Sequence, residues 1–373
     1  MRMFYQQLTK RIATIPDLLP ENYQTAGFVA NAILSNGALG VGKRFDYFED
    51  KVERPALYTQ NVERSAESLT DAALLWLEEK RDPERPTFLW VHYMDPHSPY
   101  LPPETFEKRG YAHDDAVMVD ADQLAKNNAQ RHEAEEGSKV DALISVDAYD
   151  EEIAYADSQI GRLLEGWARI TDPENSLSIL TADHGESMLD HQIYFAHGYQ
   201  VYDEVVRIPM LVRAPSVNPG ENDRLVSLVD VMPTVLGFAL VDTPPSLSGV
   251  DLRNSTADPD RTVFAETTYV DSHWRAAWSG NQKWMLQTEI WSAEHISGFQ
   301  YDLSTDPAEL KPRPWDETSR GALAILANMK SDPDPAGMPN DRRAKRKVGQ
   351  ANHAADLLRG QLEKLRALGY VDE

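Results

Sequence analysis

The 373-residue sequence predicts an α/β three-layer sandwich with a mostly parallel central sheet, followed by a smaller C-terminal α+β subdomain. Three observations carry this. Apolar, β-prone runs alternate with amphipathic stretches through the first two thirds of the chain. From about residue 262, short strands follow one another between turn residues, the pattern of a small antiparallel sheet. Two of the earlier strands break off into polar clusters, at His92–His97 and at Asp183–Glu186. Open α/β sheets bind ligands at such carboxyl ends of strands. The expected division is residues 1–250 for the sandwich, with 104–147 as a polar insertion, and 251–373 for the subdomain.

Taken in order, residues 14–22 read as a short helix and "QTAGFVA" as the first strand. Gly37, Gly40 and Gly42 make a connection to the aromatic segment Phe45–Phe48. Val62, Ala66, Leu69, Ala73, Leu74 and Leu77 recur at helical spacing within Thr59–Lys80, and "DPERP" ends that helix. "TFLWVHYM" is a buried strand that runs out into Asp95-Pro96-His97. The charge-mixed stretch 104–147 has little periodicity and reads as a partly mobile cover. Tyr149, Ile153, Ala156, Ile160, Leu163, Leu164 and Trp167 mark a second amphipathic helix. Leu177–Thr181 and "RIPMLVRAP" are further strands, and "DVMPTVLGFAL" a short helix. "TVFAETT", "WRAAWSG", "KWMLQTEI" and "FQYDL" form the late sheet; 304–350 is a connector and 354–368 a final helix.

Sixty acidic against 37 basic residues give a formal net charge of −23, which argues against nucleic acids and anionic membranes as partners. The absence of cysteine excludes disulfides, thiolate metal sites and a cysteine nucleophile within this sequence. No apolar run is long enough to span a bilayer, and the first residues carry no apolar core like that of a signal peptide, so a soluble chain is expected.

The adjacent Asp183 and His184 offer a hard oxygen and an imidazole at a strand end, a mixture suited to a divalent cation. Gly185 is expected to let the backbone turn beneath the ion, and Glu186 to orient His184 or cap a helix. Two ligands do not complete a coordination sphere. His97, beside a proline-rich loop, and His197, in "YFAHGYQ", are candidate catalytic residues. His191 reads as a loop or supporting residue, and His113, His132, His273, His295 and His353 as solvent-facing.

Together these segments resemble the sulfatase family of the alkaline-phosphatase superfamily. "NYQTAGFVAN" with "RFDYFED", "TFLWVHYMDPHSPYLPP", "AYDEEIAYADSQIGRLL", "ILTADHGESMLDHQIYFAHGYQVYDEVVRIPMLVRAP", "VSLVDVMPTVL", "FQYDLSTDPAEL" and "LRALGYVDE" are similar to family blocks and follow family order. The resemblance implies an alkaline-phosphatase-like sandwich and hydrolysis of sulfate esters of small molecules or carbohydrates. It also implies a formylglycine nucleophile and a divalent metal, most often calcium, with magnesium, manganese or zinc as alternatives. By resemblance, Asp183 and His184 fill the later pair of metal positions. His97 matches a histidine on the sulfate or the leaving group, and His197 a substrate-contacting position.

Departures from the family pattern are equally specific. The family's first strand with its Asp-Asp metal pair, and the C/S-x-P-x-R segment, would precede residue 1, and no serine here lies in S-x-P-x-R. "FVANAI" stands where many members carry "GKWH". The expectation is therefore a Met1 inside a longer ancestral frame and a chain that is poorly stable and inactive alone. Two other readings stand behind this one. One is a metal-dependent phosphoesterase or phosphoglycerol transferase of the same superfamily, in which Asp95, His97 and His197 would serve a second metal. The other is a non-catalytic remnant that binds an anionic ligand or a partner.

Overall fold

Backbone hydrogen bonding organises the first unit around three parallel strands. The computed structural model describes residues 8, 12–51, 54–55, 62–126, 128–215, 217–253, 258, 260–269, 272–289, 295–316, 319 and 321–325. Strand Gln24–Val29 lies in the middle, paired in parallel with Tyr47–Glu49 on one edge and Thr87–His92 on the other. All six of its residues are buried, as expected of a parallel strand covered on both faces.

Helix Ala66–Glu79 covers one face of this sheet. It starts where the Ser65 hydroxyl accepts from the Ser68 amide, later than the expected Thr59; residues 56–61 lie outside the described residues. Its buried face, Leu69, Ala73, Trp76 and Leu77, packs on Ala26 and Phe28 of the central strand. Leu163, Trp167 and Ile170 of helix Leu143–Ile170 join the same core. That helix begins six residues before the expected Tyr149, because Ala142 is already buried against the cover.

The cover at 104–147 holds more structure than its composition suggests. Strands Met118–Asp120 and Lys139–Asp141 pair antiparallel, and Val119, Leu124 and Ala142 form a core with Tyr100 and Phe195. Apolar residues spaced far apart in a polar stretch leave no periodicity to read, yet converge once the hairpin forms.

Strands Ser178–Thr181 and Met210–Arg213 pair antiparallel with each other and form a ladder separate from the parallel sheet. The second of these is shorter than "RIPMLVRAP", and a helical turn, Asp203–Val206, precedes that stretch. Helix Val231–Phe238 follows.

The late strands form a five-stranded antiparallel meander, Val263–Tyr269, Ser272–Ser279, Gln282–Glu289, His295–Asp302 and Arg313–Pro314. Gly280, at φ 56°, with Asn281 makes the two-residue turn between Ser279 and Gln282, where a left-handed first position favours glycine. One face packs Trp274, Ala276, Trp278, Met285 and Tyr301 against Val201 and Tyr202 of the first unit. The other covers Trp284 and Leu286 with Ala322 and Ile325. The expected final helix at 354–368, the connector beyond 325 and His353 lie outside the described residues.

Candidate functional site

The sequence-selected residues meet at the carboxyl ends of the 87–92 and 178–181 strands. The ring of His184 stacks on that of His197 at 3.9 Å between centroids, and His97 meets His197 edge-on at 5.5 Å. His184 Nε2 lies 3.8 Å from Asp183 Oδ1. His92, the last residue of its strand, brings Nε2 to 4.0 Å from Asp183 Oδ2. These residues line one end of a cavity of about 2280 Å³.

Local structure explains how His197, thirteen residues beyond His184, returns to the site. The Ser187 amide donates to Ala196 O at 3.0 Å, and the Phe195 amide donates back to Ser187 O at 2.6 Å. This antiparallel bridge sets His197 opposite Glu186. Its Nδ1 donates to Glu186 Oε1 at 3.1 Å, while the Tyr100 hydroxyl donates to Glu186 Oε2 at 2.9 Å. Glu186 therefore orients His197 and not, as expected, His184. Phe195 holds this return at φ 54°, a left-handed conformation that costs a non-glycine residue about 1–3 kcal/mol. Its burial against Tyr100 and Tyr194 opposes that cost.

Gly185 also acts differently from expectation. A Cβ there would lie 2.3 Å from the backbone oxygen of Glu204. The Gly185 amide donates to Val205 O at 2.6 Å. Glycine is required because the Asp203–Val206 turn presses on this loop from behind.

In each of the three imidazoles Nδ1 is engaged, His97 with Ser98 O at 2.7 Å, His184 with Gly185 O at 2.9 Å, and His197 with Glu186. A neutral ring donating from Nδ1 carries its lone pair on Nε2. Burial holds the His97 pKa below its ordinary value, and the charges of His197 and His184 push it the same way. Burial likewise lowers His92, against the raising effect of Asp183. Asp95, buried beneath the loop, is pushed up to about 6 by desolvation.

Sequence reasoning assigned no role to His92 or Tyr100, and gave Asp95 one only in the second-metal alternative. His92 ends its strand, Asp95 lies three residues beyond, and each leaves a buried polar atom, Nδ1 and Oδ2, without a hydrogen-bond partner among the described residues. Tyr100 is buried and gave no signal beyond its place in a proline-rich loop. His191 is a packing residue: it stacks on Tyr202 at 3.5 Å, and its Nε2 donates to Glu309 O at 3.1 Å. His273 is buried and lies 3.2 Å from Glu266 Oε2, which corrects its solvent-facing reading. His113 is half-exposed beside Asp147, His132 is exposed, and the His295 side chain lies outside the described ones.

The donor set fits a divalent cation only in part. Asp183 gives one exposed carboxylate and His184 an imidazole, whereas calcium takes six to eight oxygens. Among the described residues no group of three His, Asp or Glu side chains is arranged to hold an ion. No described helix is long and apolar enough to cross a membrane.

The parallel α/β layer and the antiparallel C-terminal sheet define an α/β protein with a C-terminal subdomain. The Sulfatase family model matches residues 2–241, and the chain belongs to the sulfatase family. A second model, N-sulphoglucosamine sulphohydrolase, C-terminal, matches residues 191–329. An arylsulfatase of Clostridium perfringens is 25% identical over 273 residues, covering 69% of this chain and 55% of that protein. An endo-4-O-sulfatase of Bacteroides thetaiotaomicron is 31% identical over 169 residues, covering 44% of this chain and 31% of that protein. The chain thus spans between about a third and a half of these relatives' lengths. Among solved structures, a protein captured with its substrate D-glucosamine-2-N,6-O-disulfate superposes with a TM-score of 0.62 at 19% identity, covering 89% of this chain and 85% of the other. A phosphonate monoester hydrolase of Agrobacterium radiobacter gives 0.61 at 16%, covering 87% and 81%. At these identities the two structures speak for the fold, an alkaline-phosphatase-like sandwich with a C-terminal subdomain.

Proposed function

We propose that these residues form the leaving-group side of a sulfate-ester hydrolase acting on a sulfated sugar. The observation that carries the reading is the convergence of His97, His184 and His197 with Asp183 at one strand-end mouth. Named relatives with sulfatase activity and a neighbour that binds a sulfated glucosamine support the substrate class.

His97 and His197 are the catalytic residues of this proposal. In the free site, burial and its imidazole neighbours keep His97 neutral. An anionic ester placed against it favours the imidazolium. His97 Nε2 then carries the proton that the departing alcohol oxygen takes as the S–O bond breaks. Glu186 holds the Nδ1 proton of His197, so its Nε2 faces the ester in one fixed tautomer. Asp183 and His184 supply part of the divalent metal's ligand set, calcium being the ion proposed; when bound, it neutralises the ester's charge and polarises it. The nucleophile is not among these residues: the sequence has no cysteine and no S-x-P-x-R serine.

The test separates binding from turnover. Isothermal calorimetry with N-acetylglucosamine 6-sulfate and calcium chloride should show binding that weakens at least tenfold in His97→Ala and in His197→Ala. Unchanged affinity in both variants would refute the site. Tighter binding of N-acetylglucosamine 6-phosphate would transfer the site to phosphate esters. The 373-residue chain alone should not turn over 4-nitrophenyl sulfate, and clear turnover would overturn the absence of a nucleophile.

A further inference from the structure

The loop that carries His197 is held in a conformation its residues do not favour. His191, Gln192 and Phe195 take φ of 53°, 57° and 54°, three left-handed positions close together and none of them a glycine. A side chain with a Cβ resists that region, so contacts from outside the loop must hold it there. Two such contacts end on one oxygen. The Ser187 hydroxyl donates to Glu204 Oε1, and His191 Nδ1 lies 3.5 Å from the same atom. Ser187 closes the neck of the loop through its backbone bonds to Phe195 and Ala196, and His191 anchors the middle.

The ring of His191 lies flat on Tyr202, 6° from parallel, which fixes the direction of both its nitrogens. Nε2 points at the Glu309 carbonyl oxygen, 3.1 Å away. Nδ1 is buried with no hydrogen-bond partner among the described residues, which leaves the Glu204 carboxylate as the acceptor before it. A neutral imidazole donates from one nitrogen and would turn the lone pair of the other on an oxygen; an imidazolium donates from both. The surrounding charges favour the second form. Burial opposes it, but the Glu204 carboxylate and the Glu309 carbonyl and carboxylate outweigh burial and hold the His191 pKa above its ordinary value. Tyr202, pushed up to about 12 by burial, stays neutral. Asp190 precedes the ring and is exposed. The Lys283 ammonium stands 5.8 Å from the Tyr202 ring centre and is taken up by Asp203 and Glu309.

We propose that His191 is a positioning residue for His197: as an imidazolium it ties the middle of the 187–196 loop to Glu204 and Glu309, and the loop loosens when that proton leaves. Glu204 is the common anchor. Its carboxylate takes both Ser187 and His191, and its backbone oxygen packs on Gly185 at the start of the same loop. While both ties hold, the strained turn persists and His197 is presented opposite Glu186. A pKa raised in the folded chain makes the His191 tie complete in acid and lost as the pH rises through that value. The proposal rests on His197 facing the ester, and its test uses no ester, so the two can fail separately.

Nitrogen-15 NMR of the histidine rings and amide hydrogen exchange test this, both followed on the 373-residue chain from about pH 5 to 9. Corrected for intrinsic exchange, protection of the Ser187 and Phe195 amides should fall at least about fivefold as His191 titrates, with its midpoint at the His191 pKa. Glu204→Gln keeps an acceptor for Ser187 and removes the charge facing His191. It should lower the His191 pKa and leave both amides at the lesser protection across the whole range. His191→Phe keeps the stack on Tyr202 and should leave the amides in the same state. The proposal fails if His191 titrates at or below the ordinary histidine value, or if protection in the parent chain does not change with pH. It also fails if the midpoint follows the His197 ring, or if Glu204→Gln keeps the parent's pH dependence. Should either variant not fold, the titration of the parent chain alone decides between these outcomes.

Discussion

Lys283 and Asp183 are charged residues placed about a hundred positions apart, and the fold treats them in opposite ways. Lys283 is fully buried, with its ammonium 2.9 Å from Asp203 Oδ1 and 2.5 Å from Glu309 Oε1. Trp278 adds an indole N–H to Asp203 at 3.1 Å and its ring face to the ammonium at 4.7 Å. Asp183 keeps 66% of its side chain exposed and has imidazoles at 3.8 and 4.0 Å. One region closes its charges upon each other; the other sets out a carboxylate and imidazoles around open space. A buried charge with its partners in place is architecture, while an exposed acid among imidazoles at a cavity mouth is the arrangement on which the proposed function rests.

The two regions share one element. The Asp203–Val206 turn holds Lys283 through Asp203, and the next residues, Glu204 and Val205, press their backbone oxygens on Gly185 beside His184. Breaking the closed region should therefore have the largest effect. Lys283→Ala leaves two carboxylates buried without their cation, a loss of about 3–5 kcal/mol by urea denaturation. The same variant should alter the His184 NMR resonances through the turn. A loss under about 1 kcal/mol would show that the cluster is hydrated and that the contrast with Asp183 is overstated.

That contrast was half legible in the sequence. The stop from "SILT" into Asp-His-Gly-Glu is a local change from β-prone to polar residues, and the structure places a strand ending at Thr181 there. His97, His184 and His197 could be selected by their positions after strands and in adjoining loops. Lys283 could not be found this way. A lone lysine in "QKWMLQ" reads as solvated, and its partners stand 80 residues before and 26 after it. Glu186 was visible, but its partner was not, because the Ser187–Ala196 bridge is a tertiary fact.

The open region can be probed through pH. Burial, its largest influence, raises Asp95 from 3.8 to about 6 in the folded state. The folded chain thus holds this proton more tightly than the unfolded one. As pH rises above about 4 the unfolded carboxyl ionises first, and stability falls until the folded group ionises near 6. The difference is at most about 3 kcal/mol at 1.36 kcal/mol per unit. Relative to Asp95→Asn, the parent chain should lose this much between pH 4 and 7, measured by urea midpoints. Parallel pH profiles for the two proteins would mean that Asp95 is solvated, and the cavity mouth more open than its burial suggests.

The smallest effect sharpens the boundary between the regions. Tyr100 belongs to the closed kind of structure, buried against Phe195 and Tyr149, yet its hydroxyl reaches Glu186 and through it the open site. Tyr100→Phe removes one hydrogen bond and keeps the ring packing, so it should cost about 1 kcal/mol. His197 should keep its Nδ1 proton, because Glu186 Oε1 still accepts it. Nitrogen-15 NMR of the histidine rings reads this directly. If the tautomer holds in Tyr100→Phe and is lost in Glu186→Ala, Glu186 alone orients His197 and Tyr100 serves only to seat it. If both variants lose it, the hydroxyl is part of the positioning chain, and the closed region reaches one residue further into the site.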